Sequence, residues 1–309
     1  MKARVWTALI AVYIAWGSTY LAIRFAVETI PPFLMAGTRF LIAAVLLYGW
    51  RRLAGDKNPT PRQWRSAILV GLLLLVGGNG IVTWAEQYVV SSIAALIVAS
   101  VPIWMVLIDA LRPGSIKPDW RVILGVLIGF GGIALLAGTT KGASNSDPIA
   151  VYGIPALLAA SIFWAFGSVV SHHTDMPTST LTGTAIQMFA GGVGLFLLGC
   201  LTDEWANLNF SAITTRSLLS LGYLIVFGAL IGFVCYAWLL RNAPLPLVST
   251  YAYVNPVVAL MVGSWLGAEM LSVPTIIAAV IIVGSVILIN TSSQTRVKDK
   301  EETAALPAD

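Results

Sequence analysis

Charge is what this sequence has least of. Of its 309 residues only 10% are Asp, Glu, Lys or Arg, where soluble domains carry about 25%, so a fold that shows a largely charged surface to water is excluded. Cysteine is scarcer still. Cys200 and Cys235 both fall within apolar stretches, and neither a disulfide framework nor a thiolate zinc cluster can be built from them. The sequence has no P-loop, no glycine-rich dinucleotide turn and no His/Cys ligand set. Nucleotide-driven pumping and redox chemistry are thereby disfavoured, and no cofactor and no metal are expected. His172, His173 and Asp175 come nearest to a metal set, but neighbours on a helix point about 100° apart, and the segment reads as a cytoplasmic connection. The first apolar segment, Val5 to Phe25, lacks an A-x-A exit and is too long for the core of a cleaved signal, so it is expected to persist as the first helix.

Apolar residues fill the space that charge leaves. Hydrophobic residues make up 58% of the chain and the mean hydropathy is +0.85. Apolar runs of roughly 20 residues, long enough to cross about 30 Å of hydrocarbon, recur from Val5 to Asn290. Breaks at polar, charged and proline residues divide them into ten expected spans, near 5–25, 33–50, 66–85, 91–111, 120–138, 149–170, 179–201, 217–240, 245–266 and 272–291. Lys and Arg provide an independent check, because they gather on the cytoplasmic side of short loops. With the amino terminus in the cytoplasm, fourteen of them fall inside and only Arg24, Lys141 and Arg216 outside. A missed span would scramble that split. Both termini are therefore expected in the cytoplasm, in a bacterial inner membrane, and the net charge of +4 needs no nucleic-acid partner.

Two landmarks recur at one offset: Trp84 and Trp238 lie 154 residues apart, and so do Pro102 and Pro256. Ala15-Trp16-Gly17-Ser18 is echoed by Ala165-Phe166-Gly167-Ser168, and the small residues at Gly131 by those at Gly284. The chain thus reads as an all-α polytopic membrane protein whose ten transmembrane helices form two five-helix repeats, 1–145 and 146–292, followed by a disordered tail, 293–309. Five is odd, so the second repeat enters the membrane from the opposite side. Inverted repeats of this kind place a substrate site near the midplane between the halves.

Those same residues resemble a known family. Ala15-Trp16-Gly17-Ser18, Arg39-Phe40 and Pro102 in the first half, with Ala165-Phe166-Gly167-Ser168, Asn255-Pro256 and Gly267-Ala268-Glu269 in the second, look like the EamA-like branch of the drug/metabolite transporter superfamily. The likeness covers about residues 5–292. Where a Gly-Glu would follow the fourth span the first half has Arg112-Pro113-Gly114-Ser115, so the role of Glu269 is not duplicated there. The resemblance implies export of amino acids, aromatic or otherwise amphipathic, or of related small metabolites.

Several residues stand out as candidates for carrying a solute. Arg39 is about seven residues into the second span, where a cation is costly and faces protein or water. Anchoring a substrate carboxylate and pairing within the protein are both open to it, and its counterpart in the second half is the neutral Gln187. Asn79, Thr83 and either Glu86 or Gln87, at i, i+4 and i+7 or i+8, share one helical face. Gly77, Gly78 and Gly80 around Asn79 permit close approach, which favours a cavity wall over a helix–helix hydrogen bond. Pro102 and Pro256 remove a backbone hydrogen bond mid-span and are expected to bend their helices as paired hinges, or as static kinks.

Trp16, Trp104 and Trp164 are deep, Ser100 and Ser168 share their faces, and Tyr251, Tyr253 and Asn255 belong to the ninth span. Such faces suit an amphipathic solute, though packing against neighbouring helices is the commoner fate for any single one of them. Trp6, Trp50, Trp64, Trp120 and Trp205 fit the interfacial belt. Glu86, Asp109 and Glu269 are candidates for coupling or gating, Asp109 and Glu269 being close enough to an interface to be simply solvated. The leading expectation is a secondary carrier working by alternating access, with a small-molecule substrate and the lipid bilayer as partners, as a monomer or weak homodimer. Drug or amine efflux is the nearest rival. A lipid-modifying enzyme and a channel are further ones, the first lacking an acid or histidine cluster at a membrane face and the second a polar stripe along any span.

Overall fold

The computed structural model describes residues 2–111, 119–139, 152–243 and 250–288. The boundary near 145, the segment Arg112-Pro113-Gly114-Ser115 and the tail 293–309 lie outside the described residues. The elements are helices joined by short connections, with no strand among the described residues. They are α1 (Lys2–Ala26), α2 (Pro32–Leu53), α3 (Pro61–Ala85), α4 (Ser91–Ala110), α5 (Trp120–Thr139), α6 (Ile154–His173), α7 (Thr180–Leu201), α8 (Thr215–Leu239), α9 (Tyr251–Leu266) and α10 (Val273–Leu288). Seven, α1 to α4 and α6 to α8, are long and apolar enough to cross a membrane. Three shorter apolar stretches lie in α5, α9 and α10.

Local chemistry explains where these helices begin. Thr60 and Gln63 form a capping box ahead of α3 with Pro61 in its first turn, while Ser179 and Thr214 accept the backbone N–H groups of Thr182 and Ser217 to open α7 and α8. The charged first turn of α3 holds Arg62 and Arg65, which is why an apolar run alone places its start near 66.

α3 and α8 match in an unanticipated way. Each is 25 residues long, each follows a threonine cap, Thr60 or Thr214, and each contains a π-helical stretch, Leu72–Gly80 in one and Leu224–Phe233 in the other. α4 is interrupted at Ala99 and Ser100. Pro102 occupies the start of its second segment, Val101–Ala110, and has no N–H to give the Val98 carbonyl. Pro256 stays inside an unbroken α9.

Neighbour relations repeat too. α2 packs on α7 and α4 on α9; α1 packs on α8 and α9, and α6 on α3 and α4; α3 packs on α7, and α8 on α2. Advancing these labels by five returns the same pairs, whereas the α1–α4 contact is not matched in strength between α6 and α9. Small residues let these pairs close: a Cβ on Gly71 would lie 2.5 Å from the Gln187 carbonyl oxygen, and one on Gly191 2.5 Å from the Leu75 Cβ. The outer surface is apolar, with Val45, Leu127 and Trp265 exposed, as hydrocarbon requires.

Candidate functional site

A cavity of about 840 Å3, counted to its open mouth, lies among α1, α2, α3, α4, α6, α8 and α9. One part of its wall is aromatic. Trp16 of α1 has the ring of Trp164 edge-on at 6.2 Å, Phe233 at 5.2 Å, Tyr236 at 4.9 Å and Tyr251 at 5.4 Å. Its indole Nε1 donates to the Gly228 carbonyl at 3.2 Å, which fixes the ring. Gly232 leaves it room, since a Cβ there would be 2.3 Å from that nitrogen.

Another part is polar. Arg39 is 3% exposed, lies over the Phe40 ring at 4.4 Å and donates through Nη2 to Asn79 Oδ1, while its Nε has no partner. Asn79 stands in the π-helical stretch of α3, where Gly78 is close-packed on Trp164; a Cβ on Gly78 would meet that ring at 2.8 Å. Thr83, one turn on, donates to the Asn79 carbonyl at 2.9 Å and supports it from behind. Asn255 of α9 is buried and its Oδ1 is also without a partner. A spare donor and a spare acceptor therefore line one chamber, where unmet buried polar groups are expensive.

Trp16, Arg39, Asn79, Trp164, Tyr251, Asn255 and Pro256 are thus brought together. Others are placed elsewhere. Ser100 is buried and accepts from Trp104 Nε1 at 3.2 Å, and Trp104 packs edge-on against Phe130 at 5.2 Å. Ser168 donates to the Trp164 carbonyl at 2.7 Å, the Gln187 backbone is packed against Gly71, and Asp109 is half-buried near the end of α4. The Tyr253 side chain lies outside the described residues. No group of three metal ligands occurs among the described residues. Tyr20 and Phe233 line the cavity without having been singled out from the sequence, and Phe40, noted there only as part of a family motif, lines it too. Tyr20 follows Trp16 by one turn, a spacing that could have flagged it, whereas Phe233 carries no local signal.

The acids take three different positions. Glu86 follows Asn79 and Val82 on one face of α3; it is 3% exposed and neither carboxylate oxygen has a hydrogen-bond partner. Glu269, in the link after α9, is fully engaged. It accepts from Ser91 N at 2.9 Å, Ser91 Oγ at 2.6 Å and Ser92 N at 3.1 Å and pairs with Arg24 at 2.8 Å. Burial pushes its carboxyl up, but the hydrogen bonds from Ser91 and Ser92 outweigh that and hold it below the usual range.

Asp56 and Glu204 complete a reciprocal arrangement at the helix starts. Asp56, beyond α2, accepts from Thr182 Oγ1 of α7 at 2.6 Å, and hydrogen bonds led by that from Arg51 hold its carboxyl well below the usual range. Glu204, beyond α7, accepts the Phe33 and Leu34 N–H groups of α2 at 3.1 and 2.9 Å. Burial nonetheless pushes its carboxyl up. Glu204 thus caps α2 directly, while Asp56 reaches the first turn of α7 through the Thr182 hydroxyl, and both lie where the helix dipole favours negative charge.

Comparisons with known proteins agree with this architecture. The model of the EamA-like transporter family matches residues 4–138 and again 151–291. The uncharacterized inner membrane transporter YedA of Escherichia coli (strain K12) is 42% identical over 284 residues, spanning 91% of this chain and 89% of that one. The uncharacterized transporter YvbV of Bacillus subtilis (strain 168) is 26% identical, over 95% and 93% of the two chains. A protein of known crystal structure, 19% identical, superposes with a TM-score of 0.64 over 94% of this chain and 98% of its own, which shows a shared fold.

Proposed function

The chain belongs to the EamA-like transporter family, and from that premise we propose that it exports amino acids across the inner membrane by alternating access. The observation that carries this reading is the buried Arg39, its Nε unspent, in a cavity between the halves that also has an aromatic wall. A fixed guanidinium in a dry site selects a carboxylate. The ring cluster around Trp16 supplies an apolar enclosure for a side chain, and Asn255 Oδ1 accepts a hydrogen from the amino group. Arg39 and the rings together describe an amphipathic zwitterion.

Architecture supports the carrier mechanism. We read the helices as ten spans in two inverted five-helix halves with both termini cytoplasmic. The five-helix repetition of neighbour pairs supports that reading, and so do the matched α3 and α8. In such a scaffold the halves rock about a midplane site. The helix break before Pro102 and the proline inside α9 provide bending points in matching helices.

Efflux of amphipathic amines is the second reading, favoured by the aromatic wall alone. Counterflow in proteoliposomes distinguishes the two: labelled L-phenylalanine and other amino acids exchange if the first holds, whereas movement of phenethylamine with no amino acid moving at all would transfer the assignment to amine efflux.

A further inference from the structure

Glu86 is the buried group that the reading above leaves unused. Its carboxyl is 3% exposed and both oxygens lack a partner, a condition that a carboxylate in a dry interior cannot hold without a proton or a cation. It lies one turn beyond Val82 and two beyond Asn79 on the face of α3 that lines the cavity, and Tyr20 of the cavity wall is within its electrostatic reach. Arg39 is within reach as well, yet the two form no ion pair. Arg39 on the cavity wall and the Glu86 carboxyl just beyond Val82 thus stand apart, each with bonding capacity to spare. A zwitterion bridges such a pair.

We propose that Glu86 is the site at which the ammonium group of the solute and a proton exclude one another, so that the carrier exchanges an amino acid for a proton. The inference rests on the amino-acid reading of the cavity. With Arg39 holding the solute carboxylate, the ammonium neutralises Glu86. When the solute leaves on the outer side, the carboxylate takes a proton from that side. The proton is released to the cytoplasm when the next ammonium arrives. One proton enters for each zwitterion exported, so one positive charge moves inward per cycle, and the proton gradient drives export.

Other groups around Glu86 are already committed or stay neutral. On α1, Arg24 is paired with Glu269, which is held by Ser91 and Ser92. On α1 Tyr20, and at the ends of α3 and α6 Tyr88 and Tyr152, contribute phenols and no cation. α6 faces this end of α3 with Leu157 and Ala160, and α2 contributes Arg39. Among the described residues Glu86 is left as the carboxyl of this neighbourhood with no ion pair and no side-chain hydrogen bond, with the Arg24 backbone and the Glu269 carboxylate within its electrostatic reach.

The test uses the full chain in proteoliposomes with labelled L-phenylalanine, first in counterflow without a pH gradient and then with an acidic lumen and alkaline medium. In the wild type we expect counterflow, accumulation above equilibrium under the gradient, and an apparent affinity that falls about tenfold per pH unit once Glu86 is protonated. Glu86→Gln is expected to bind independently of pH and to lose gradient-driven accumulation, while still exchanging 3-phenylpropionate, which has no ammonium group. Glu86→Asp is expected to restore the gradient response. Counterflow that ignores the gradient in the wild type, or gradient-driven accumulation that persists in Glu86→Gln, overturns the exchange and leaves the amino-acid reading standing. Absence of counterflow with every amino acid overturns both.

Discussion

Arg39 shows how one side chain can define a site. Its burial forces the guanidinium to be satisfied by protein or ligand, and Asn79 meets only part of that need. Charge-assisted hydrogen bonds contribute about 1.5–3 kcal/mol, roughly 10- to 100-fold in affinity. Arg39→Ala is therefore expected to weaken L-phenylalanine transport by that factor and to leave any movement of phenethylamine unchanged; equal losses for both would remove the anchor role. Glu269 works differently, through structure. Its folded pKa is depressed below its ordinary value of 4.5, so its contribution is fully present above that value and is lost as pH falls through the folded pKa. Glu269→Gln is expected to lower the thermal midpoint at neutral pH, by about 1–3 kcal/mol of stability, and to flatten the acid limb of the stability profile. An unchanged acid limb would show that the clasp on Ser91 and Ser92 contributes nothing.

Among the helices, α4 and α9 contain the mid-span prolines but answer them differently. α4 breaks at Ala99 and Ser100, whereas α9 carries Pro256 within an unbroken run. Pro102→Ala returns a donor to the Val98 carbonyl and lets α4 run straight. Turnover is expected to slow several-fold with equilibrium binding nearly intact, measured as exchange rate against Kd; an unchanged rate would identify a static kink. A residue pattern could flag the proline but not the form of the response, because whether a helix bends or breaks depends on what the freed carbonyl can find nearby. The π-helical stretches of α3 and α8 were invisible for the same reason: an extra residue per turn leaves no compositional mark.

For the whole molecule, the repetition of neighbour pairs under a five-helix shift is the feature with most consequence. It makes α2–α7 and α4–α9 the pairs nearest a common axis and puts Asp56 and Glu204 in matching positions, each bonded to the first turn of a helix of the other half. If the halves are inverted, as proposed above, these contacts lie at opposite membrane faces. Tags on the two termini are expected to be reached by impermeant reagents only from the cytoplasmic side. Termini on opposite faces would break the inverted reading and, with it, the midplane site.

Membrane class, helical content, the two-fold repetition and family membership were legible in the sequence, because hydropathy and periodicity are local properties that survive without a fold. That Arg39 is enclosed by protein follows from the cost of a cation on an apolar helix. Contacts between distant segments decided the rest. Trp16 meets Phe233 across the two halves, Glu269 reaches back to Ser91 and Arg24, and Trp104, as deep as Trp164 by any count along the chain, faces Phe130 instead of the cavity. Which face of an all-apolar helix turns inward is not encoded in its own hydrophobicity, since lipid and protein interior are equally apolar. Only the packing of small residues such as Gly71, Gly191 and Gly232 against specific neighbours settled it.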